Sequence, residues 1–423
     1  MIPRKKIPRD LCLDNTLKLL SEGYFFITRR CKKYHSDIFQ TRLFGQKVVC
    51  LSGVEAAKLF YDNNRFSRKG AAPKRVQKTL FGEKGVQTLD GAEHQHRKML
   101  FITVMSPDRT DQLIKLVKKQ WQLKSKCWEK KEQIVLFDEV QILLCEAACR
   151  WTGIPIRPCE AKYRAQDFGK MIDAFGAAGP RYWQGKCARK RTEKWMEAIV
   201  DKVRCNQLAA PVGSALYEIT WHRDLNGCLL PTEVAAVEII NVIRPIVAIA
   251  TYITFGALAL IEYPECVKKL RKKVPSYPLM FVQEVRRFYP FGPFVGARVR
   301  KDFIWKNYSF QKGTLVLLDL FGTNHDRRLW FLPNRFIPER FQNRKDTPFD
   351  LIPQGGGDAK EGNRCPGEAI TIELMKASIK FLANHLDYDV PCQDLRYSYV
   401  RMPTLPKSRV ILKNIRRIAA TNK

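Results

Sequence analysis

A chain of 423 residues with 45% hydrophobic and 27% charged residues can bury a large core, which excludes a disordered or fibrous polymer. Its 74 Lys and Arg against 42 Asp and Glu leave a formal charge of +32, attractive to nucleic acid, anionic headgroups, acidic proteins and anionic small molecules alike. The 13 cysteines form no C-x-x-C pair, which argues against a zinc ribbon or a disulfide scaffold and makes most of them reduced packing residues.

In chain order, the basic N-terminus MIPRKKIPRDLCLDN lacks the apolar run and small-residue cleavage site of a secretory leader, so an intracellular, cytoplasmic protein is expected. Apolar residues recur on one face in segments near 14–21, 53–61, 92–105, 109–127, 133–150, 162–178, 190–207, 232–260, 279–288 and 366–385, predicting helices. Cys145 and Cys149 fall in one of them, VQILLCEAACRW, as small buried hydrophobes. Shorter β-branched runs at Gln46 to Leu51, Phe294 to Arg300, Phe303 to Trp305 and Leu315 to Leu320 predict strands of small satellite sheets. No repeat, low-complexity tract or Gly/Ser linker divides the chain. Residues 1–423 are read as one mainly α domain with small β-sheets.

The most apolar stretch, Val234 to Tyr263, is interrupted by Glu238, Asn241, Arg244 and Pro245, and reads as a buried helix with no transmembrane role. Within it, Pro245 removes a helical hydrogen bond at a cost of about 3 kcal/mol, and Arg244 brings a permanent charge to an apolar face. Two adjacent unfavourable choices point to function, although a helix kinked for packing would also produce them.

Downstream, VQEVRRF sets Glu284 and Arg287 at i and i+3 of a predicted helix, and PERF supplies Arg340. The segment IPQGGGDAKEGNRCPGE then places Cys365 after a glycine-rich loop and ahead of a long helix. A helix N-terminus lowers a thiol's pKa, and the thiolate is the form that ligates iron. Gly355, Gly356, Gly357, Gly362 and Gly367 would let the backbone pass close to a flat cofactor, with Pro366 at the first helical position. An ordinary buried cysteine explains this segment equally well when it is taken alone.

The ordered set E-x-x-R, PERF, glycine loop and cysteine resembles the cytochrome P-450 superfamily over most of the chain. The resemblance implies the cytochrome P-450 fold enclosing haem b, Cys365 as thiolate ligand to the iron, and a buried cluster of Glu284, Arg287 and Arg340 supporting it. DGAEHQHRKML is similar to the family's haem-flanking helix, which implies His94 and Lys98 as haem-propionate partners, with Arg68 as a third. An ordinary monooxygenase of the superfamily has an acid followed by threonine in its central helix. EIINVIRPIVAIATYITFG has Arg244-Pro245 instead.

That departure, together with the long loop and Gln354 where an aromatic residue is expected, resembles the bacterial fatty-acid peroxygenases. The implied chemistry is hydrogen-peroxide-dependent hydroxylation of a long-chain fatty acid at the α or β carbon. Arg244 would pair bidentately with the substrate carboxylate, which then performs the proton transfers. No obligatory reductase is implied. The same resemblance implies a pocket of Leu80, Phe81, Gln87, Ile172, Phe175, Phe291 and Gly292, with Pro245 beside the arginine. Glutamine at position 87, where one alkene-forming relative has histidine, implies hydroxylation as the main outcome and decarboxylation as a minor one. Two other readings remain: a monooxygenase fed by an acidic redox partner, and a haem-binding sensor without turnover. The absence of nucleic-acid motifs disfavours a nucleic-acid partner.

Overall fold

The computed structural model describes residues 5–272, 274–345 and 347–418, so the first four residues of the basic N-terminus lie outside the described part. Its centre is the helix Thr232–Glu262, apolar around nearly its whole circumference. A helix of that kind needs apolar neighbours on every side. It finds them in Leu136–Thr152, Pro180–Arg204 and Glu368–Asn384, whose apolar faces close around it into one large core. By length and composition this helix could cross a membrane, but 94% of its most apolar window is buried inside the protein. It is a core helix here.

The expected mainly α architecture with small sheets is met, and the differences lie at the ends of elements. Helices expected from 162, 190 and 279 start earlier, at Pro158, Pro180 and Tyr277, each with proline in the first two helical positions. Proline lacks an N–H that would be unpaired there in any case. The helix expected from 133 begins at Leu136, because Gln133–Val135 pairs antiparallel with Ile411–Arg417. The hydrophobic pattern missed the short helices Phe26–Lys33, Ala215–Thr220 and Pro264–Arg271.

The largest sheet has five strands in the order Ile38–Leu43, Gln46–Leu51, Leu315–Asp319, Phe294–Val299 and Phe66–Ser67. Only the Gln46–Leu51 and Leu315–Asp319 pair is parallel, in the register Val48 to Leu315. The sheet carries its own apolar cluster, which includes Leu320, and Phe291, just before the strand Phe294–Val299, packs on the main core. Cys145 and Cys149 are fully buried packing residues, and all 13 cysteines are free.

Candidate active site

Cys365 ends the glycine loop three residues before the helix Glu368–Asn384. Gly355 and Gly357 have φ of 93° and 81°, backbone that only glycine adopts without strain. A Cβ on Gly355 would approach the Tyr61 hydroxyl to 3.0 Å, so this glycine serves the loop's packing against Tyr61. Pro366 lies in the turn and not at the first helical position, which belongs to Glu368 behind Gly367. The expected lowering of the thiol pKa by the helix terminus is also corrected. Burial pushes Cys365 up, opposed by the Gly367 N–H, while Glu368 adds to the rise and Arg286 and the Gln354 amide pull it back. A bound metal ion deprotonates a coordinating thiol outright, so the thiolate needs the ion's own charge.

Gln354 shows what replaces an aromatic residue beside this sulfur. Its Nε2 donates to Cys365 Sγ at 3.8 Å and to Thr371 Oγ1 at 3.0 Å, and its Oε1 accepts from Arg286 Nη2 at 2.9 Å. Arg286, fully buried, also ion-pairs with Glu368, which in turn pairs with Arg364. Sequence reasoning stopped at Arg287 and missed Arg286, although both stand in VQEVRRF.

The carboxylate of Glu284 is held by both Arg287 Nε and Nη2 at 2.7 Å, by Arg340 Nε at 3.1 Å and by Ile337 N at 2.8 Å. Glu284 and Arg287 are completely buried. Arg287 Nη1 further donates to Asn324 O and Pro333 O. The E-x-x-R helix is thereby stitched to the segments that precede the cysteine loop.

Lys98, His94 and Arg68 converge from two elements. Lys98 is buried and donates to Gly362 O in the cysteine loop. Burial lowers its pKa, opposed by Asp358 and Cys365. Burial also lowers His94, reinforced by Lys98, opposed by Asp90 and then lowered further by Arg68. Arg68 stands 4.2 Å over the Phe60 ring, donates to Gly296 O at 3.1 Å, and is pushed down to about 10 by burial. Three desolvated basic groups around a cysteine, none in an ion pair among the described residues, fit the two carboxylates and the iron of a haem.

On the central helix Arg244 is 6% exposed. The helix continues through Pro245 without interruption. Burial pushes the Arg244 guanidinium down to about 9, Arg189 pushes it the same way, and Cys365 opposes both. Among the described residues its one hydrogen bond is from Nη2 to Asn241 Oδ1 at 3.4 Å, and its Nε has no partner. Among the described residues no carboxylate pairs with it. A buried guanidinium in this state is set to receive an anion.

Asn241 organises the surroundings of Arg244. Its Nδ2 donates to Glu238 Oε2 at 3.0 Å, to the Phe81 carbonyl at 3.1 Å and to Gln87 Oε1 at 3.2 Å. Glu238 has no exposed surface and pairs with Arg97 Nη1 at 2.9 Å. Burial raises the Glu238 carboxyl pKa, and Asn241 and Arg97 pull it down. A Cβ at Gly85 would come within 2.8 Å of Asn241 Nδ2, so glycine is required for this approach. Asn241→Leu, which keeps the volume and removes the amide, should weaken binding of a carboxylate ligand at Arg244 about 10- to 100-fold with Cys365 undisturbed. Titration of the substrate-induced haem spectral change would measure the loss.

The residues expected to line a pocket are spread over several elements. Leu80 and Phe81 sit in the π-helical turn Gln77–Phe81, and Gln87 in the 3-10 turn Val86–Thr88. Arg189, fully buried, donates to Leu80 O at 2.9 Å and fixes that turn; no sequence signal marked it. Ile172 lies in the helix Pro158–Asp173 and Phe175 in the turn after it, and Arg75, just ahead of the π-helical turn, donates to Ala177 O. Phe291 stacks on Tyr252 of the central helix at 4.5 Å, and Gly292 faces Leu320.

The fold around this loop is that of the haem-thiolate proteins. The cytochrome P450 family model matches residues 249–394. Among solved structures, cytochrome P450EX alpha (CYP152N1) with myristic acid is 46% identical, covering 98% of this chain and 100% of that chain at a TM-score of 0.93. Cytochrome P450 OleT in complex with arachidonic acid is 36% identical, covering 99% of this chain and 100% of that one at a TM-score of 0.95. Of the curated proteins, cytochrome P450 3A15 of Cavia porcellus is 27% identical over 55% of this chain, and the match spans 49% of that relative, about half its length. The chain belongs to the cytochrome P450 superfamily and, within it, to the fatty-acid peroxygenases.

Proposed function

We propose that this protein hydroxylates long-chain fatty acids at the α or β carbon with hydrogen peroxide and without a reductase. The observation that carries this reading is Arg244, buried in the central helix with an unpartnered Nε and no carboxylate among the described residues to neutralise it. Myristic and arachidonic acids in the related structures are ligands whose carboxylate suits such a group. Cys365 would hold the iron of haem b, and His94, Lys98 and Arg68 its propionates. When bound, the haem would supply an iron centre for peroxide-driven oxidation, with a hydroxy acid and water as the products.

The chain's own contribution is placement and proton control. Arg244 grips the carboxylate and is oriented by Asn241, so only the carbons next to that carboxylate reach the reacting centre. The anchored carboxylate oxygen can accept and return a proton, a role no other free acid on this helix fills. Glu238 is already committed to Arg97 and Asn241. Leu80, Phe81, Ile172, Phe175 and Phe291 supply an apolar lining for the tail and exclude water.

Haem-loaded protein mixed with hydrogen peroxide and a saturated long-chain acid, with no NAD(P)H or reductase, should yield 2- or 3-hydroxy acids by gas chromatography–mass spectrometry. An intact haem spectrum without product would overturn the proposal and favour a redox-partner enzyme or a sensor. Gln87→His should raise the share of terminal alkene in the same assay, because position 87 shares Asn241 with Arg244 and sets how the carboxyl end lies.

A further inference from the structure

The arm before the first helix, residues 5–15, has its polarity inverted. It is fixed in place: Lys5 bridges to Tyr308 and Arg9 to Gln40, Asp10 N donates to Gln40 O at 2.8 Å, and Asn15 N donates to Arg42 O at 2.9 Å. Apart from Ile7, half-buried on the sheet's apolar cluster, the side chains it buries are polar. Asp10 pairs with buried Arg30 at 2.9 Å, and the Asn15 amide donates to Thr41 Oγ1 at 2.9 Å. Its leucines face outward, with Leu11 90% and Leu13 91% exposed, followed by Leu17 at 80% on the helix Thr16–Glu22.

The inward face of that helix is already filled by Leu19, yet Leu17 and Leu20 are exposed on its other side. A short helix apolar on both sides calls for an apolar medium on the second. Phe44, exposed at the hairpin tip, is held beside the start of this helix. Its N–H donates to Thr16 Oγ1 at 2.6 Å, and Gly45 N to Asp14 Oδ2 at 2.7 Å.

The same arm, helix and hairpin carry six exposed cations, Lys5, Lys6, Arg9, Lys18, Arg42 and Lys47, and none of the six forms an ion pair among the described residues. The nearby Asp14 is taken up by the Thr16 and Gly45 N–H groups. We propose that this face docks on an anionic lipid bilayer, with the leucines and Phe44 at the boundary between headgroups and acyl chains and the six cations on lipid phosphates. A second copy of the chain is the poorer occupant. A two-fold contact would set six cations against six on a chain of net charge +32.

The test is sedimentation of the haem-loaded protein with extruded vesicles of phosphatidylcholine, alone or mixed with phosphatidylglycerol. The protein should pellet with the mixed vesicles and stay in solution with the neutral ones. Leu11→Ser, Leu13→Ser and Leu17→Ser combined should weaken partition about tenfold or more, with haem absorption and melting temperature unchanged, since these side chains support no packing. Lys18→Gln, Arg42→Gln and Lys47→Gln combined should remove the preference for phosphatidylglycerol. Three outcomes would overturn the proposal: a serine variant that partitions like the parent, a parent that ignores anionic vesicles, or a parent dimer that the serine changes dissociate.

Discussion

Arg244→Ala is expected to lower kcat/KM for fatty acids by about 10³-fold or more while leaving haem bound. The guanidinium is buried, pushed down to about 9 and without a carboxylate partner among the described residues, so its desolvation is offset only when an anion arrives. Charge-assisted pairs of this kind are worth about 3–5 kcal/mol when one member is removed, which converts to about two to four powers of ten. If the substrate carboxylate also moves the proton, both kcat and KM suffer. An arginine that merely bound the acid would raise KM alone. Arg244→Lys should restore part of the affinity and little of the turnover, because ammonium is a point charge without a planar fork. Peroxide-driven product formation, measured together with the carbon monoxide spectrum of the reduced haem, checks each variant. Wild-type turnover by Arg244→Ala would remove the substrate-assisted scheme.

The parts legible in the sequence are those whose chemistry is local. A cysteine before a long helix, an E-x-x-R spaced one turn apart and an arginine beside a proline all declare themselves within a few residues. The parts that were not legible depend on partners far apart in the chain. Arg97 meets Glu238 across 141 positions, and Asn241 meets Gln87 across 154, so nothing near either residue in the sequence names its partner. Glu238 and Asn241 were read as interruptions of an apolar helix, but they are the reason that helix can present Arg244 in a defined direction. Arg189 looked like one of many residues in a basic run, yet it holds the turn that carries Leu80 and Phe81. The helix starts at Pro158 and Pro180 were available signals, since proline at a first helical position is informative even where the hydrophobic pattern has not begun.

The second large effect is structural. Glu284→Ala should destabilise the holoprotein by about 3–5 kcal/mol, because it strands Arg287, which has no exposed surface, and leaves the Ile337 N–H without its acceptor. Against a typical native stability of about 5–15 kcal/mol this is a large fraction. The damage should not stay local. Arg287 also ties Asn324 O and Pro333 O, and Asn324 Oδ1 accepts from Ile352 N just ahead of Gln354 and the cysteine loop. Loss of the carboxylate should therefore speed haem release as well as lower the melting temperature. Replacing all three members, with Glu284→Leu, Arg287→Met and Arg340→Leu, should cost less than Glu284→Ala alone, because no buried charge is then left unpaired. Thermal melts followed at the haem absorption band would order the variants. If the triple variant fell below the single one, the cluster's hydrogen bonds to backbone carbonyls, and not its charge pairing, would be what holds this side of the cysteine loop.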